Sequence, residues 1–298
     1  MKPTRIGVII NPISGRRGSH AGEAERRRSF IAQQAADAGV TADIRLTTAQ
    51  GHARTLAQEC LATGCEVVVA MGGDGTVNEV AQGLLGSHVP LGIVPCGSGD
   101  GLALGLKLPT SWRRALQVAL EGHTSRMDVG YVNDRLFLNV AGIGFDAAVG
   151  RLFATRKKRG ALGYVSKSFS LVWSYQSLHY ELACDDGRRA GRKFLIGFAN
   201  APEYGNAAVL APDADIRDGL LDVLIADGGS PLRQIWRARR LFWNRRAPAE
   251  GLERLRTRTA RVTGDRMVAH VDGEVFEASG TLAIRVVPLA LAIRVSAE

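Results

Sequence analysis

The stretch VVVAMGGDGTVNEV, Val67 to Val80, decides the fold. It opens on an unbroken apolar block, sets three glycines around Asp74, and runs on into Asn78 and Glu79. An apolar run without alternation suits a strand buried on both faces, and glycines at its mouth allow a sharp exit toward a helix. RIGVII (5–10), ADIRLTT (42–48) and PLGIVPC (90–96) have the same strand character. Helical stretches separate the strands over Glu23–Ala38, His52–Ala62, Val77–Leu85, Leu102–Leu106 and Trp112–Leu120. Such alternation predicts an α/β domain around a parallel sheet, with ligands beyond the carboxyl ends of its strands.

After about Arg126 the pattern changes. DVGYVNDRLFLNVAG reads as two strands around an Asn-Asp turn, and YELACDDGRRAGRKFLIGFAN as two more around Asp-Asp-Gly. LDVLIAD, RLRTRTARVTG, MVAHVDGEVFE and GTLAIRVV continue in this vein. A β-sandwich-like, mainly antiparallel second domain is expected, interrupted by helices near Leu162–Tyr175 and Leu232–Asn244.

The 298 residues allow two domains, and 46% hydrophobic content allows a sizeable core. No apolar run reaches the roughly 18 residues that span a bilayer, and Ile6–Ile10 is too short for a signal-peptide core. Cys60, Cys65, Cys96 and Cys184 show no metal-ligand spacing with the histidines, which fits a reducing cytoplasm. The net charge of +9 points to a polyanionic partner: nucleic acid, an anionic membrane or a phosphorylated ligand.

Three strands of the first half end in similar loops: Asn11 to Gly15, Gly72 to Thr76, and Gly97 to Gly101. Glycines there let backbone N–H groups point at phosphate oxygens, next to helix N-termini. Asp74 would repel phosphate unless a divalent cation lay between them, so the set predicts a nucleotide with Mg²⁺. Each loop alone could be a plain strand-to-helix turn. No Gly-Lys pair exists for a Walker A loop, and Leu102 stands where the dinucleotide fingerprint needs its last glycine.

At these residues the sequence resembles the diacylglycerol kinase catalytic-domain family, which includes soluble bacterial lipid kinases and the sphingosine and ceramide kinases. The resemblance runs through Asn11-Pro12-Ile13-Ser14-Gly15, Gly72-Gly73-Asp74-Gly75-Thr76 with Asn78 and Glu79, and Gly97-Ser98-Gly99. It continues through GIGFDA (142–147), APDADIRDGLLDV (211–223) and VDGE (271–274). It implies an NAD kinase-like, three-layer nucleotide-binding domain over 1–126 and a β-sandwich-like lipid-binding domain over 127–283. The strand in 284–298 would return to the first domain. It further implies ATP and Mg²⁺ as cofactors, with nucleotide contacts at residues 11 to 15, Arg16, Thr47, Gly72 to Glu79 including Val77, and Ser98. Glu274 matches the proton acceptor for a lipid hydroxyl, with Asp272 beside it and Asp74 at the phosphates. A second, structural Mg²⁺ is implied, held by the Asp218 side chain and the carbonyls of Asp215 and Leu220. Asp100-Gly101 departs from the Asn-Asp that diacylglycerol kinases of the family usually carry after the third loop, which leaves the lipid's identity open.

A lipid substrate must be met at a membrane, and the cationic excess suits an anionic surface. Arg151–Lys167 and Pro231–Arg246 mix cations with Leu, Phe and Trp as an interfacial helix would, although packing on the β-domain explains them equally. A protein of the cytoplasm, peripheral at the inner face of the cell membrane, is the expected setting. Rival readings are an NAD or sugar kinase and a catalytically silent nucleotide or nucleic-acid regulator; nothing resembles a nucleic-acid-reading motif. The lipid kinase reading requires the glycine turns and the acidic hairpin tip at Glu274 to share one pocket.

Overall fold

The computed structural model describes residues 3–15, 21–154, 171–205, 208, 209, 211–235 and 252–296. The chain forms two compact units, Met1–Asp128 with Leu289–Glu298, and Val129–Pro288. The return to the first unit thus begins at Leu289, a few residues after the break expected at 283.

The first unit runs β1 (Arg5–Ile10), α1 (Ala21–Asp37), β2 (Thr41–Leu46), α2 (His52–Ala62), β3 (Val67–Gly72), α3 (Asp74–Leu84), β4 (Leu91–Pro95), α4 (Gly101–Gly105) and α5 (Trp112–Glu121), and then enters β5 (His123–Val132). The strands pair in parallel in the order β4-β3-β1-β2, with Ile6 opposite Val67 and Arg5 opposite Thr41. β1, β3 and β4 lack alternation because both faces are covered. Ile6, Val8, Ile10, Val67, Val69 and Met71 pack against Ile31 and Ala35 of α1 and Ala115, Leu116 and Ala119 of α5. Helices α2 and α3 lie against each other and against β1 and β3, and bury Leu56, Ala57, Val80 and Ala81. Each Val, Leu, Ile or Met side chain so buried contributes about 1.5–3 kcal/mol, each Ala methyl less.

The expected helix at Val77 begins three residues earlier. β3 ends at Gly72, Gly73 alone bridges with extended backbone (φ −92°, ψ −176°), and Asp74 already lies in the first turn of α3. An acidic residue there is favoured by the helix dipole, and Gly75 so near the end costs little.

The second unit takes the end of β5, then β6 (Arg135–Phe137), β7 (Val140–Gly144), α6 (Phe145–Ala154), β8 (Leu178–Cys184), β9 (Gly187–Ala199), the short pair β10 (Glu203–Gly205) and β11 (Ala208–Val209), β12 (Leu221–Asp227), β13 (Glu253–Thr257), β14 (Thr259–Val271) and β15 (Glu274–Val295). Its paired strands are antiparallel. The long strands β9 and β14 each pair with β8 over one half and β7 over the other, so they pass from one layer to the next. Tyr180, Leu182, Ile196, Phe198, Val262 and Met267 fill the space between.

Helix α6, which starts inside GIGFDA, is not among the helices read from the sequence. Distant packing stabilises it: the Phe145 ring stacks on Phe194 at 4.5 Å and meets Tyr175 edge-on at 5.4 Å. Of the two expected helices, residues 171–174 and 231–235 are helical, while the parts over 162–170 and 236–244 lie outside the described residues. The same holds for most of both amphipathic stretches. No helix among the described residues is long and apolar enough to cross a membrane.

β15 leaves the second unit at Leu289, whose φ is +48°. The buried Asp128 carboxylate accepts the Leu289 N–H at 2.7 Å, and Arg126 donates to the Leu289 carbonyl at 3.0 Å. Beyond this kink Ile293 pairs in parallel with Leu91 of β4.

Candidate active site

The three glycine-containing loops of the first unit follow β1, β3 and β4, neighbours or next neighbours in one parallel sheet, so they emerge at the same edge. Asn11 ties the first to the second: its N–H donates to the Met71 carbonyl at 3.0 Å, and its Nδ2 donates to Thr76 Oγ1 at 3.0 Å. Its other amide atom, Oδ1, accepts the Ile13 N–H at 3.1 Å, and its carbonyl accepts the Ser14 N–H at 3.2 Å. That loop leaves Pro12 and Ser14 partly exposed, Ile13 at 77% exposure, and Gly15 at φ +158°. Arg27 of α1 supports it by donating to the Ser14 carbonyl at 3.3 Å. Arg16 lies outside the described residues.

The second and third loops meet backbone to backbone at Gly73 and Gly97. A Cβ on Gly97 would stand 2.7 Å from Gly73 Cα and 2.6 Å from Asp100 Oδ1, and one on Gly99 would lie 3.3 Å from Asp74 Oδ2. A Cβ on Gly72 would meet Thr76 Oγ1 at 2.5 Å. Only glycine therefore lets these loops nest around Asp74, whose carboxylate accepts the Gly101 N–H at 3.3 Å. Asp100 sits in left-handed backbone (φ +47°) and accepts the Gly97 N–H at 2.8 Å, which closes the third loop. Ser98 is exposed at its tip. The donor set fits Mg-ATP: main-chain surface bare of side chains, a helix N-terminus, and one carboxylate beside it.

Other expected nucleotide residues turn inward. Val77 and Asn78 are buried on α3, and Asn78 Oδ1 accepts from Gln82 at 2.7 Å. Glu79 accepts the N–H groups of Gly51 at 2.8 Å and Ala53 at 3.1 Å. It thereby caps α2, whose N-cap Gly51 (φ +81°) offers no side chain. The Thr47 N–H donates to the Ile10 carbonyl at 2.9 Å, so Thr47 starts the loop that Glu79 holds at its far end. Cys96, just before the third loop, has its thiol pushed up to about 11 by burial.

In the second unit, Asp272 and Gly273 form a two-residue turn between β14 and β15, with φ +47° and +88°. The Asp272 carboxylate accepts three main-chain N–H groups, from Leu138 at 2.8 Å, Asn139 at 2.9 Å and Val140 at 3.1 Å. Its own N–H returns to the Val140 carbonyl at 2.9 Å. Asp272, expected in the chemistry, holds the turn, and Glu274 is exposed at the first position of β15. The Asp-Gly hairpin was legible in the sequence; the clamp of Asp272 on residues 138–140 was not.

At the expected second Mg²⁺ site the Asp215 carbonyl accepts the Asp218 N–H at 3.5 Å. Asp215 Oδ1 accepts the Arg217 N–H at 3.0 Å and Asp218 Oδ1 accepts the Leu220 N–H at 2.9 Å, which turns both carboxylates toward their own backbone. Arg217 lies 3.7 Å from Asp215, and Arg256 lies 3.7 Å from Asp218 and 3.3 Å from Asp222. Burial pushes the Asp222 carboxyl above its usual range, and Arg256 opposes this.

Comparison with known proteins places this geometry. The family profile of the diacylglycerol kinase catalytic domain matches residues 5–132, and that of the YegS C-terminal NAD kinase beta sandwich-like domain matches residues 139–295. A Chromohalobacter salexigens protein named "Probable lipid kinase YegS-like" is 38% identical over 205 residues, 67% of this chain and 66% of that protein. A Pseudomonas aeruginosa protein of the same name is 31% identical over 255 residues, 79% of this chain and 83% of that one. A Mycobacterium tuberculosis protein named "Diacylglycerol kinase" is 28% identical over 298 residues, 97% of this chain and 94% of that one. A solved structure of a diacylglycerol kinase from Bacillus anthracis str. Sterne shares the fold, with a TM-score of 0.76 at 18% identity over 99% of this chain and 98% of that one.

Proposed function

Because this chain belongs to the diacylglycerol kinase catalytic-domain family, a family of lipid kinases, we propose that it transfers the γ-phosphoryl group of ATP to a lipid hydroxyl. The observation that carries the ATP reading is the nest of Gly73, Gly97 and Gly99 around Asp74, which a single added Cβ would fill. The N–H groups at the start of α3, Gly73 to Thr76, and the hydroxyls of Ser14 and Ser98 hold the phosphates, and Thr47 contacts the nucleotide from the loop that Glu79 anchors. Asp74 would hold Mg²⁺, which when bound supplies positive charge against the phosphates.

Glu274 receives the proton of the lipid hydroxyl as its oxygen forms a bond to the γ-phosphorus and the bond to ADP breaks. Asp272 fixes the turn that presents Glu274. The acceptor is a diacylglycerol-like or sphingoid lipid at an anionic bilayer, a setting that the net charge of +9 suits.

The test is incubation with γ-labelled Mg-ATP and mixed micelles of diacylglycerol, sphingoid base and phosphatidylglycerol, with Glu274→Gln in parallel. Label enters one lipid, and the variant is slower by about 10²-fold or more. Label in no lipid, or equal label from the variant, overturns the reading.

A further inference from the structure

Within the second unit a buried polar pair stands directly behind the turn that carries Glu274. His270 Nε2 lies 3.0 Å from Asp146 Oδ2, with side chains 3% and 13% exposed. The Gly273 N–H points at His270 Nδ1 at 3.3 Å. A main-chain amide can only donate, so Nδ1 is the acceptor, the ring proton sits on Nε2, and that proton is aimed at Asp146. Asp146 is fixed in turn, since its Oδ1 accepts the Ala147 N–H at 2.7 Å at the start of α6. A chain of bonds therefore runs from α6 through imidazole to the Asp272–Gly273 peptide, in the turn that leads into Glu274.

The neighbouring strand is built around this chain. Gly142 of β7 faces His270 of β14 across the ladder. A Cβ on Gly142 would overlap Asp146 Oδ2 and come within 2.7 Å of His270 Nε2. Gly142 thus makes room for a carboxylate and an imidazole where an aliphatic filling would pack with less desolvation. A buried ion-pair-like contact rarely adds net stability over apolar residues of the same volume, so stability alone gives little reason for it. Orientation does: displacing a proton acceptor by about 1 Å can cost about 10²-fold in rate.

We propose that Asp146 and His270 are positioning residues for Glu274, holding the Asp272–Gly273 peptide so that the carboxylate at the next residue is presented in one orientation. This rests on the lipid kinase reading above. Together with the Asp272 clamp it pins the two-residue turn from both sides.

The experiment uses the full chain with His270→Leu, His270→Asn, Asp146→Asn and Glu274→Gln. Each variant is assayed for kcat, for KM of ATP and lipid, and for hydrogen exchange at the Gly273 amide. His270→Leu is expected to lower kcat by about 10-fold to 100-fold with the KM for ATP within about 2-fold of the parent, and to speed exchange at Gly273. His270→Asn, whose Oδ1 can accept the Gly273 N–H, restores part of kcat; Asp146→Asn, of unchanged shape, gives an intermediate loss.

A folded His270→Leu or Asp146→Asn protein with the parent's kcat overturns the inference. So does a loss that follows the folded fraction alone, with no rescue by Asn. If His270→Leu does not fold, the two isosteric variants decide by the same criterion. An active Glu274→Gln would instead sink the kinase reading, whereas an inactive Glu274→Gln beside a fully active His270→Leu would sink only the positioning role.

Discussion

Glu79 of α3 receives the amide of Gly51 at 2.8 Å, so the N-terminus of α2 is capped from a neighbouring helix rather than by its own sequence. Removing that cap in Glu79→Ala should cost about 1–2 kcal/mol. It should also raise the KM for ATP several-fold with little change in kcat, because the Thr47–Gln50 loop loses its anchor. Denaturant titration and steady-state kinetics check both; an unchanged KM would detach this loop from the nucleotide.

Gly97→Ala should abolish nucleotide binding with modest loss of stability, because the new methyl must displace Gly73 or Asp100 at 2.7 and 2.6 Å. Gly22→Ala in the first turn of α1, where no described atom outside its own helix stands within 4 Å, is the control and should leave stability within about 0.5 kcal/mol of the parent. Calorimetric titration with an ATP analogue reads the first effect, and thermal melting the second.

Asp272→Asn keeps a residue that tolerates φ +47° but replaces one acceptor oxygen by a donor that faces main-chain N–H groups. A loss of about 1.5–3 kcal/mol is expected from the weakened charge-assisted bonds. An unfolding midpoint equal to the parent's would show that residues 138–140 do not depend on this carboxylate.

Metal removal separates the two expected Mg²⁺ positions. Without nucleotide, a chelator should leave the melting temperature unchanged, since Arg217 and Arg256 compensate the carboxylates of Asp215, Asp218 and Asp222. Arg256→Met should lower stability on the order of 1 kcal/mol and make it recoverable by Mg²⁺. A parent protein that melts lower in chelator would restore a resident cation at this turn.

Acid should weaken both units through named groups. The hydrogen bond from Arg45 holds the Asp43 carboxyl below its usual range, and the Arg258 N–H, seconded by Thr259, does the same for Asp185. A folded-state pKa below the unfolded one gives stability that is present above the ordinary aspartate value and lost as pH falls through the folded value. Melting temperature should therefore drop below about pH 4, less steeply in Asp43→Asn with Asp185→Asn. An identical slope in the double variant would assign acid lability elsewhere.

Much of the first unit was legible because its signals are local. Apolar blocks and 3.6-residue periodicity gave β1 and α2 with the bounds observed, 5–10 and 52–62. Helix α6 escaped because Phe194 and Tyr175, which hold Phe145, are far away in sequence. The site divides in the same way. Gly72–Asp74 and the Asp272-Gly273 turn can be read from residue type, since backbone conformation selects glycine and short polar side chains. The partners of Glu79, Asp272 and His270 cannot, because each lies across strands or helices that only tertiary packing brings together.

The pairing of Ile293 with Leu91 also sets a timetable. A ribosome releases the final residues of the chain last, yet β4 needs them along one side, so the first half must wait, incomplete, through synthesis of everything between. Expressed as a free-standing fragment, residues 1–128 would carry a bare apolar margin prone to pairing with other chains, and grafting the last ten residues onto that fragment is the natural remedy.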